Sequence, residues 1–253
     1  MHIYIDFFGL HIASYGLMIL IGVSIANIIV RVMAKRKQQD FNDFIILESY
    51  CFLGAFLGAK LLYILVSFRY IDWSRIGDLQ YLKALFSGGF VFYGGLIGGI
   101  LTVILVGKIY KIPAGEYIRD YIFLIPLVHA FGRIGCFMAG CCYGIRYSGP
   151  GAVVFPSGCF APSGVKLFPV QIVEAAGLMA IAMLILGLQM RFSWKYTVET
   201  YLFLYGILRF ILENYRNDTA RGIYWNFSTS QWISLGMILF SVVCIMFKRY
   251  QIE

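Results

Sequence analysis

The sequence is short of charge. Asp, Glu, Lys and Arg make up 13% of its 253 residues, where soluble domains carry roughly 25%, so a water-soluble enzyme, a disordered tail and a nucleic-acid module are excluded. Histidine is scarce, with three residues that are not spaced as metal ligands. No phosphate-binding loop or dinucleotide fingerprint follows a plausible strand. The chain also lacks a domain linker, a low-complexity stretch and a fixed-period repeat. Missing too are the alternating segments of about ten residues that a membrane β-barrel needs.

What is present is apolar. Hydrophobic residues make up 60% of the chain, and the mean hydropathy is +0.78. In hydrocarbon only helices and closed barrels satisfy their own backbone, and continuous apolar runs decide for helices. The fold class is read as all-α, a polytopic membrane helix bundle with about seven transmembrane helices. The spans fall at roughly 9–33, 44–67, 86–107, 115–138, 171–190, 197–215 and 231–247, within a single integral membrane domain over 1–253.

The net charge of +8 reads as topology and lipid headgroups rather than as an acidic or nucleic-acid partner. Ten cations fall on one side: Arg31, Lys35, Arg36, Lys37, Lys108, Lys111, Arg191, Lys195, Lys248 and Arg249. Seven fall on the other: Arg69, Arg75, Lys83, Arg146, Lys166, Arg216 and Arg221. Lys60, Arg119, Arg133 and Arg209 remain within spans. The bias predicts the N-terminus outside, the C-terminus in the cytoplasm, and 139–170 as an extracytoplasmic loop region. Positive charge follows the first span instead of preceding it, so that span is expected to anchor and not to be cleaved as a signal peptide.

A charge at bilayer depth costs about 2.5–3.5 kcal/mol on insertion scales, so each one requires a partner or a purpose. Arg209, Glu213 and Arg216 stand at i, i+4 and i+7, which predicts one helical face at the outer end of the sixth span. Taken alone, such a face also reads as an interfacial ion-pair ladder. Arg133 shares a face with His129 near the outer end of the fourth span. Two outer-leaflet arginines on separate helices suit a phosphate, whose oxygens match the planar guanidinium fork. At that depth the phosphate is that of a phospholipid. His129 reads either as a general base or acid or as a packed core histidine. Pro169 can begin a helix, with Gln171 and Glu174 at i and i+3, facing either the same cavity or simply the first turn.

Six cysteines occur, at 51, 136, 141, 142, 159 and 244. The spacing Cys-x4-Cys-Cys over Cys136, Cys141 and Cys142 matches no zinc pattern, so no metal is expected. A disulfide through Cys159 fits an oxidising exterior, and Cys51 and Cys244 read as apolar filler. Gly140 to Gly144 forms either a tight turn that cradles an anion or a helix stop. The stretches Gly54 to Ala59 and Gly94 to Gly99 have the small-residue spacing that brings helices close.

These segments together resemble the prolipoprotein diacylglyceryl transferases of bacterial inner membranes. Ser14-Tyr15-Gly16-Leu17-Met18 resembles the family's first-span Tyr-Gly motif, and Gly58 to Tyr63 its second-span glycine motif. Phe92-Tyr93-Gly94-Gly95-Leu96 resembles its His-Gly-Gly-Leu segment. Gly132-Arg133-Ile134-Gly135-Cys136-Phe137 through Gly144 resembles the signature that begins Gly-Arg-x-x-Asn-Phe. Pro169 to Glu174 resembles His-Pro-Ser-Gln-Leu-Tyr-Glu, Arg209 to Arg216 resembles Arg-x-x-x-Glu-x-x-Arg, and Gln231-Trp232-Ile233-Ser234 resembles Gly-Gln-Trp-Leu-Ser.

The resemblance implies an enzyme that moves the diacylglyceryl group of phosphatidylglycerol onto the lipobox cysteine thiol of a prolipoprotein, releasing glycerol phosphate, with no cofactor. It implies that Arg133 and Arg209 hold the phosphate and that Glu213 orients Arg209 or accepts a proton. Tyr15, Gly94, Gly95 and Gly144 would line the lipid site, supported by Arg216, Gln171 and Glu174. The family histidine is Tyr93 here, the signature asparagine is Cys136, a second asparagine is Ala139, and the acidic residue before the final glycine is Cys141. Three outcomes are compatible with these departures: His129 takes over proton transfer, Tyr93 only positions lipid, or the acceptor is another cell-surface molecule. A non-enzymatic lipid-binding or transport protein is the reading from another class, and it calls for inverted repeats that are not seen.

Overall fold

The computed structural model describes residues 3–7, 10–217 and 222–250; Arg221, counted above among the loop cations, lies outside them. Contacts divide the chain into two compact units, one of Met1–Val32 with Ile118–Glu253 and the other of Met33–Tyr117.

In the first unit a short antiparallel pair, β1 (Tyr4–Phe7) and β2 (Leu10–Ala13), precedes α1 (Ser14–Lys37). The first span therefore begins at Ser14 and not near residue 9. Ser14, fully buried, donates from its hydroxyl and its amide to the carbonyl of Ile3, which ties the helix start to the hairpin. The fourth expected span is a bent pair, α5 (Ala114–Tyr121) and α6 (Leu124–Ala139), with 55° between them. Pro126 fits at the start of α6 because the first amides of a helix have no intrahelical acceptor. Next come α7 (Val170–Phe192), α8 (Thr197–Glu213) and α9 (Thr229–Tyr250).

α6 packs on α7, α7 on α8, and α8 on α9. Ala130, Ala175 and Leu178 are buried where α6 and α7 meet, with Tyr205 and Leu208 of α8 against them. α7 is the most enclosed of the long apolar helices, 44% of its apolar window being buried against 17–22% for the others. Polar residues at its start can therefore only face protein. The segment between α6 and α7 folds over its own small core of Phe155, Ala161 and Leu167, pinned by β3 (Val153–Val154) and β4 (Lys166–Leu167).

The second unit holds α2 (Phe41–Ser67), a 3-10 turn over Trp73–Arg75, α3 (Leu79–Ser87) and α4 (Phe92–Ile109). α2 and α4 touch along their glycines: a Cβ on Gly58 would stand 2.3 Å from the carbonyl oxygen of Gly94, and one on Gly98 2.3 Å from that of Gly54. Lys60 shows how an in-span charge is accommodated. Its Nζ donates to the carbonyl of Leu85 and, at 2.6 Å, to that of Gly88, the negative end of α3. It also lies 4.9 Å from the ring centroids of Tyr63 and Phe90.

By length and composition, five of the described helices can cross a membrane, and six if the bent pair is one span. The protein is a polytopic helical membrane protein, with helices of this kind at five to six of the seven expected spans. α8 has 17 residues and carries Glu199, Arg209 and Glu213. It lies over the expected span at 197–215.

Candidate active site

Five charged residues of the first unit, with His129 and Gln171, come together from four elements. α6 supplies His129 and Arg133 one turn apart. It stops at Gly140, whose φ of 74° places it in the left-handed region that glycine enters without penalty. α7 starts immediately after Pro169 and carries Gln171 and Glu174 in its first two turns, both fully buried. α8 brings Arg209 and Glu213 near its end, and the segment after it brings Arg216.

Arg216 is not on the helical face that its spacing predicts. α8 ends at Glu213, Asn214 caps it, and Arg216 pairs its backbone with Gly144 in a β-bridge. Once Ile145 donates to the carbonyl of Tyr215 at 3.0 Å and Asn217 to that of Tyr143 at 3.3 Å, the chain is extended there and no longer helical. Gly144 is required at this crossing. A Cβ there would fall 2.4 Å from the oxygen of Phe168 and 2.8 Å from that of Tyr215.

Leaving the helix gives Arg216 a partner on α7. One oxygen of Glu174 lies 3.0 Å from Arg133 Nη2, and the other 3.4 Å from Arg216 Nη1. A single carboxylate thus bridges two guanidiniums from separate elements. Arg209 Nη2 lies 2.7 Å from Glu213 Oε2, one turn along α8. Around this pair Arg209 Nη2 donates to Ser230 Oγ at 3.3 Å, and Ser228 Oγ donates to Glu213 Oε1 at 2.9 Å. Gln231 Oε1 accepts from the Ser228 amide at 2.9 Å, and its Nε2 donates to Asn214 Oδ1 at 3.4 Å. Ser228, Ser230 and Gln231 were not expected as site residues. The Gln-Trp segment was the signal for Gln231, whereas the two serines carry none beyond standing just before it.

Among the described residues of the cluster, three arginines stand against two carboxylates in a buried setting, with Arg209 and Arg216 each 8% exposed. Arg209 Nη1 and Arg133 Nε are buried without a hydrogen-bond partner among the described residues. An unmet buried donor costs about 1–3 kcal/mol, more when charged. The cluster is therefore complementary to an anion that accepts from both guanidiniums. His129 packs edge-on to Tyr205, ring centroids 5.7 Å apart, within electrostatic range of Arg133, Arg209 and Arg216. Tyr15 of α1 lies in range of Arg133, because Gly135 lets α1 approach: a Cβ there would be 2.9 Å from Tyr15 Cα.

The structure thus gathers Arg133, Arg209, Arg216, Glu174, Glu213, His129, Tyr15, Gly144 and Gln171 in one unit. Tyr93, Gly94 and Gly95 belong to α4 of the other. There Gly94 and Gly95 face α2, and a Cβ on Gly94 would meet the oxygen of Gly58 at 2.3 Å, which gives these glycines a packing role.

The left-handed turn at Gly140 also folds the chain back, with the amide of Cys141 donating to the carbonyl of Cys136 at 3.0 Å. The sulfurs of Cys136, Cys141 and Cys142 then all lie within 4.8 Å of one another, and Gln171 Nε2 donates to the carbonyl of Cys141 at 2.9 Å. Hydrogen bonds from Cys136 and Cys141 hold the Cys142 thiol below its ordinary range, with burial opposing and Arg216 and Arg133 assisting. Sequence spacing hides this grouping, since the turn that closes it is visible only in the backbone.

Residues 2–247 match the family model described as prolipoprotein diacylglyceryl transferase. The phosphatidylglycerol–prolipoprotein diacylglyceryl transferase of Clostridium tetani is 34% identical over 247 residues, covering 97% of this chain and 97% of that protein. A second such enzyme, from Clostridium perfringens, is 32% identical over 94% of this chain and 93% of its own. That of Pasteurella multocida is 34% identical over 94% and 87%.

Proposed function

The chain belongs to the prolipoprotein diacylglyceryl transferase family, and from that premise we propose how its charged cluster works. The protein is a membrane enzyme that transfers the diacylglyceryl group of phosphatidylglycerol to a prolipoprotein. The acceptor is the thiol of a lipobox cysteine. The thiol loses its proton, its sulfur bonds to the glycerol carbon that bears the phosphate, and the carbon–oxygen bond breaks. Glycerol phosphate leaves with the electron pair.

The observation that carries this reading is the buried arginine-rich cluster in which Arg209 Nη1 and Arg133 Nε have no hydrogen-bond partner among the described residues. A phosphodiester brings one negative charge and oxygens that accept from Arg209 Nη1 and Arg133 Nε. The leaving phosphate gains charge as the bond breaks, and fixed donors in a dry site stabilise that gain. Glu174 and Glu213 hold the guanidiniums in place, Arg216 completes the bridge through Glu174, and Gln171 fixes the Cys141 turn. Tyr15 and Gly144 border the headgroup. His129, one turn before Arg133, takes the proton that leaves the acceptor thiol, the bound phosphodiester offsetting the guanidinium charge around it.

The protein sits in the cytoplasmic membrane with its N-terminus outside, its C-terminus in the cytoplasm and the cluster toward the outer leaflet, the orientation that the basic loops favour.

Arg133→Ala and Arg209→Ala test the reading. Each is expected to lower turnover on phosphatidylglycerol and a lipobox peptide by roughly 100-fold or more at unchanged protein yield. Full activity in both variants would overturn it. His129→Asn is expected to slow transfer at least about tenfold, the lower side of general-base effects, while Tyr93→Phe stays within about threefold. The reverse order would assign the proton to Tyr93.

A further inference from the structure

The acceptor thiol is the weak point of this chemistry. An ordinary cysteine has a pKa near 8.5, so at neutral pH only a few per cent is thiolate, and the signature asparagine and acidic residue of the family are cysteines here. We propose that Cys136, Cys141 and Cys142 bind one zinc ion through their sulfurs, leaving a fourth position open, and that the acceptor thiol enters that position as a thiolate. This rests on the transferase reading above and assigns the part of the site that activates the acceptor.

Geometry is the first support. Four-coordinate zinc with Zn–S of about 2.3 Å holds its sulfurs ~3.8 Å apart, and the three sulfurs already lie within 4.8 Å of one another. Small side-chain rotations close the difference. The ligands sit on a rigid frame: Cys136 is in the last turn of α6, Gly140 fixes the turn after it, and Gln171, fully buried, holds the Cys141 carbonyl at 2.9 Å. Cys136 is buried while Cys141 and Cys142 are partly open, so the ion has a closed side and an approachable one. Three protein ligands with one free position is the arrangement of a reactive zinc site, whereas a structural site has four.

Charge is the second. Zinc with three thiolates carries one negative charge, and a fourth thiolate adds another. Arg133 and Arg216 are electrostatic neighbours of Cys142, so that charge falls beside guanidiniums. Arg133 stands three residues before Cys136 on one helical face, so the guanidinium that holds the donor phosphate and the ion that holds the acceptor sulfur are adjacent. Coordination removes the thiol proton outright, and the proton passes to His129. The bound sulfur forms the bond to the glycerol carbon, the bond to phosphate oxygen breaks, and the thioether, a much weaker ligand than a thiolate, leaves the zinc unchanged.

The experiment is metal analysis of the purified full-length protein beside single Cys136→Ser, Cys141→Ser and Cys142→Ser variants, with Cys244→Ser on α9 as the control. One zinc per chain is expected in the wild type and the control, and none in the three variants. Cobalt(II) in place of zinc is expected to give a thiolate charge-transfer band that shifts on adding a cysteine-containing lipobox peptide and not its serine counterpart. Residual transfer by the variants is expected to climb about tenfold per pH unit up to pH ~8.5, the ionisation of a free thiol, whereas the wild-type rate stays flat from pH 7 upward. Zinc retained in the variants, copper(I) bound instead, a disulfide within the cluster, or no metal at all would each overturn the site. If metal-free wild type transfers normally, the zinc proposal fails and the transferase reading stands. If zinc and the peptide-dependent shift are found without any transfer, the transferase reading fails and the site remains.

Discussion

Glu174 carries more of the arrangement than any arginine it serves. Fully buried at the start of α7, it faces Arg133 on one oxygen and Arg216 on the other, so replacing it leaves two buried guanidiniums opposed. Breaking a buried ion pair from one side costs about 3–5 kcal/mol. Glu174→Gln is therefore expected to lower thermal stability in detergent markedly, and Arg209→Lys to leave it nearly unchanged while turnover drops by roughly tenfold or more, since lysine keeps the charge but loses the planar fork. Equal stability losses in the two variants would contradict this division. Arg133, Arg209, Glu213 and Glu174 were legible in the sequence because charge inside an apolar run demands a reason. The partner of each was not. Arg216 is paired with α7 because it has left α8, and no spacing rule shows where a helix yields to a β-bridge.

Among the elements, the crossing of the 140–147 segment over the strand-like stretch after α8 sets the site. Gly144→Ala places a methyl 2.4 Å from the Phe168 oxygen, and overpacking of this kind costs about 1–3 kcal/mol. The expected outcome is a folded protein in which the Gly144–Arg216 bridge opens and lipid turnover is lost, read by assay beside a melting curve. Unchanged turnover would show that the bridge does not position Arg216. At this scale the sequence resolved the long helices to within a few residues, but α1 starts later than its apolar run because the hairpin of β1 and β2 uses the first part of it. α3 has no counterpart among the expected spans, although Asp78 caps it by accepting from the amides of Gln80 and Tyr81. The cysteine cluster was invisible because three sulfurs at i, i+5 and i+6 meet only when a left-handed glycine reverses the chain between them.

Across the whole molecule the long helices present apolar side chains outward, with Leu65 70% and Phe247 68% exposed. That surface requires lipid. The basic loops predict an orientation that fusions can read: a C-terminal fluorescent protein is expected to fluoresce and a C-terminal alkaline phosphatase to be inactive, with the opposite pattern placing the cluster at the wrong leaflet. Composition alone was enough for the membrane fold, whereas the place of α8 was legible only from its neighbours, because its 17 residues carry Glu199, Arg209 and Glu213. The central claim is that the guanidinium cluster turns phosphatidylglycerol into a diacylglyceryl donor for a thiol. Its most direct test is mass spectrometry of a lipobox peptide incubated with labelled phosphatidylglycerol and either the wild-type protein or Arg209→Ala. Thioether-linked diacylglycerol on the cysteine with the wild type, and none with the variant, is the predicted result. An unmodified peptide with a folded, lipid-loaded wild-type preparation would contradict it.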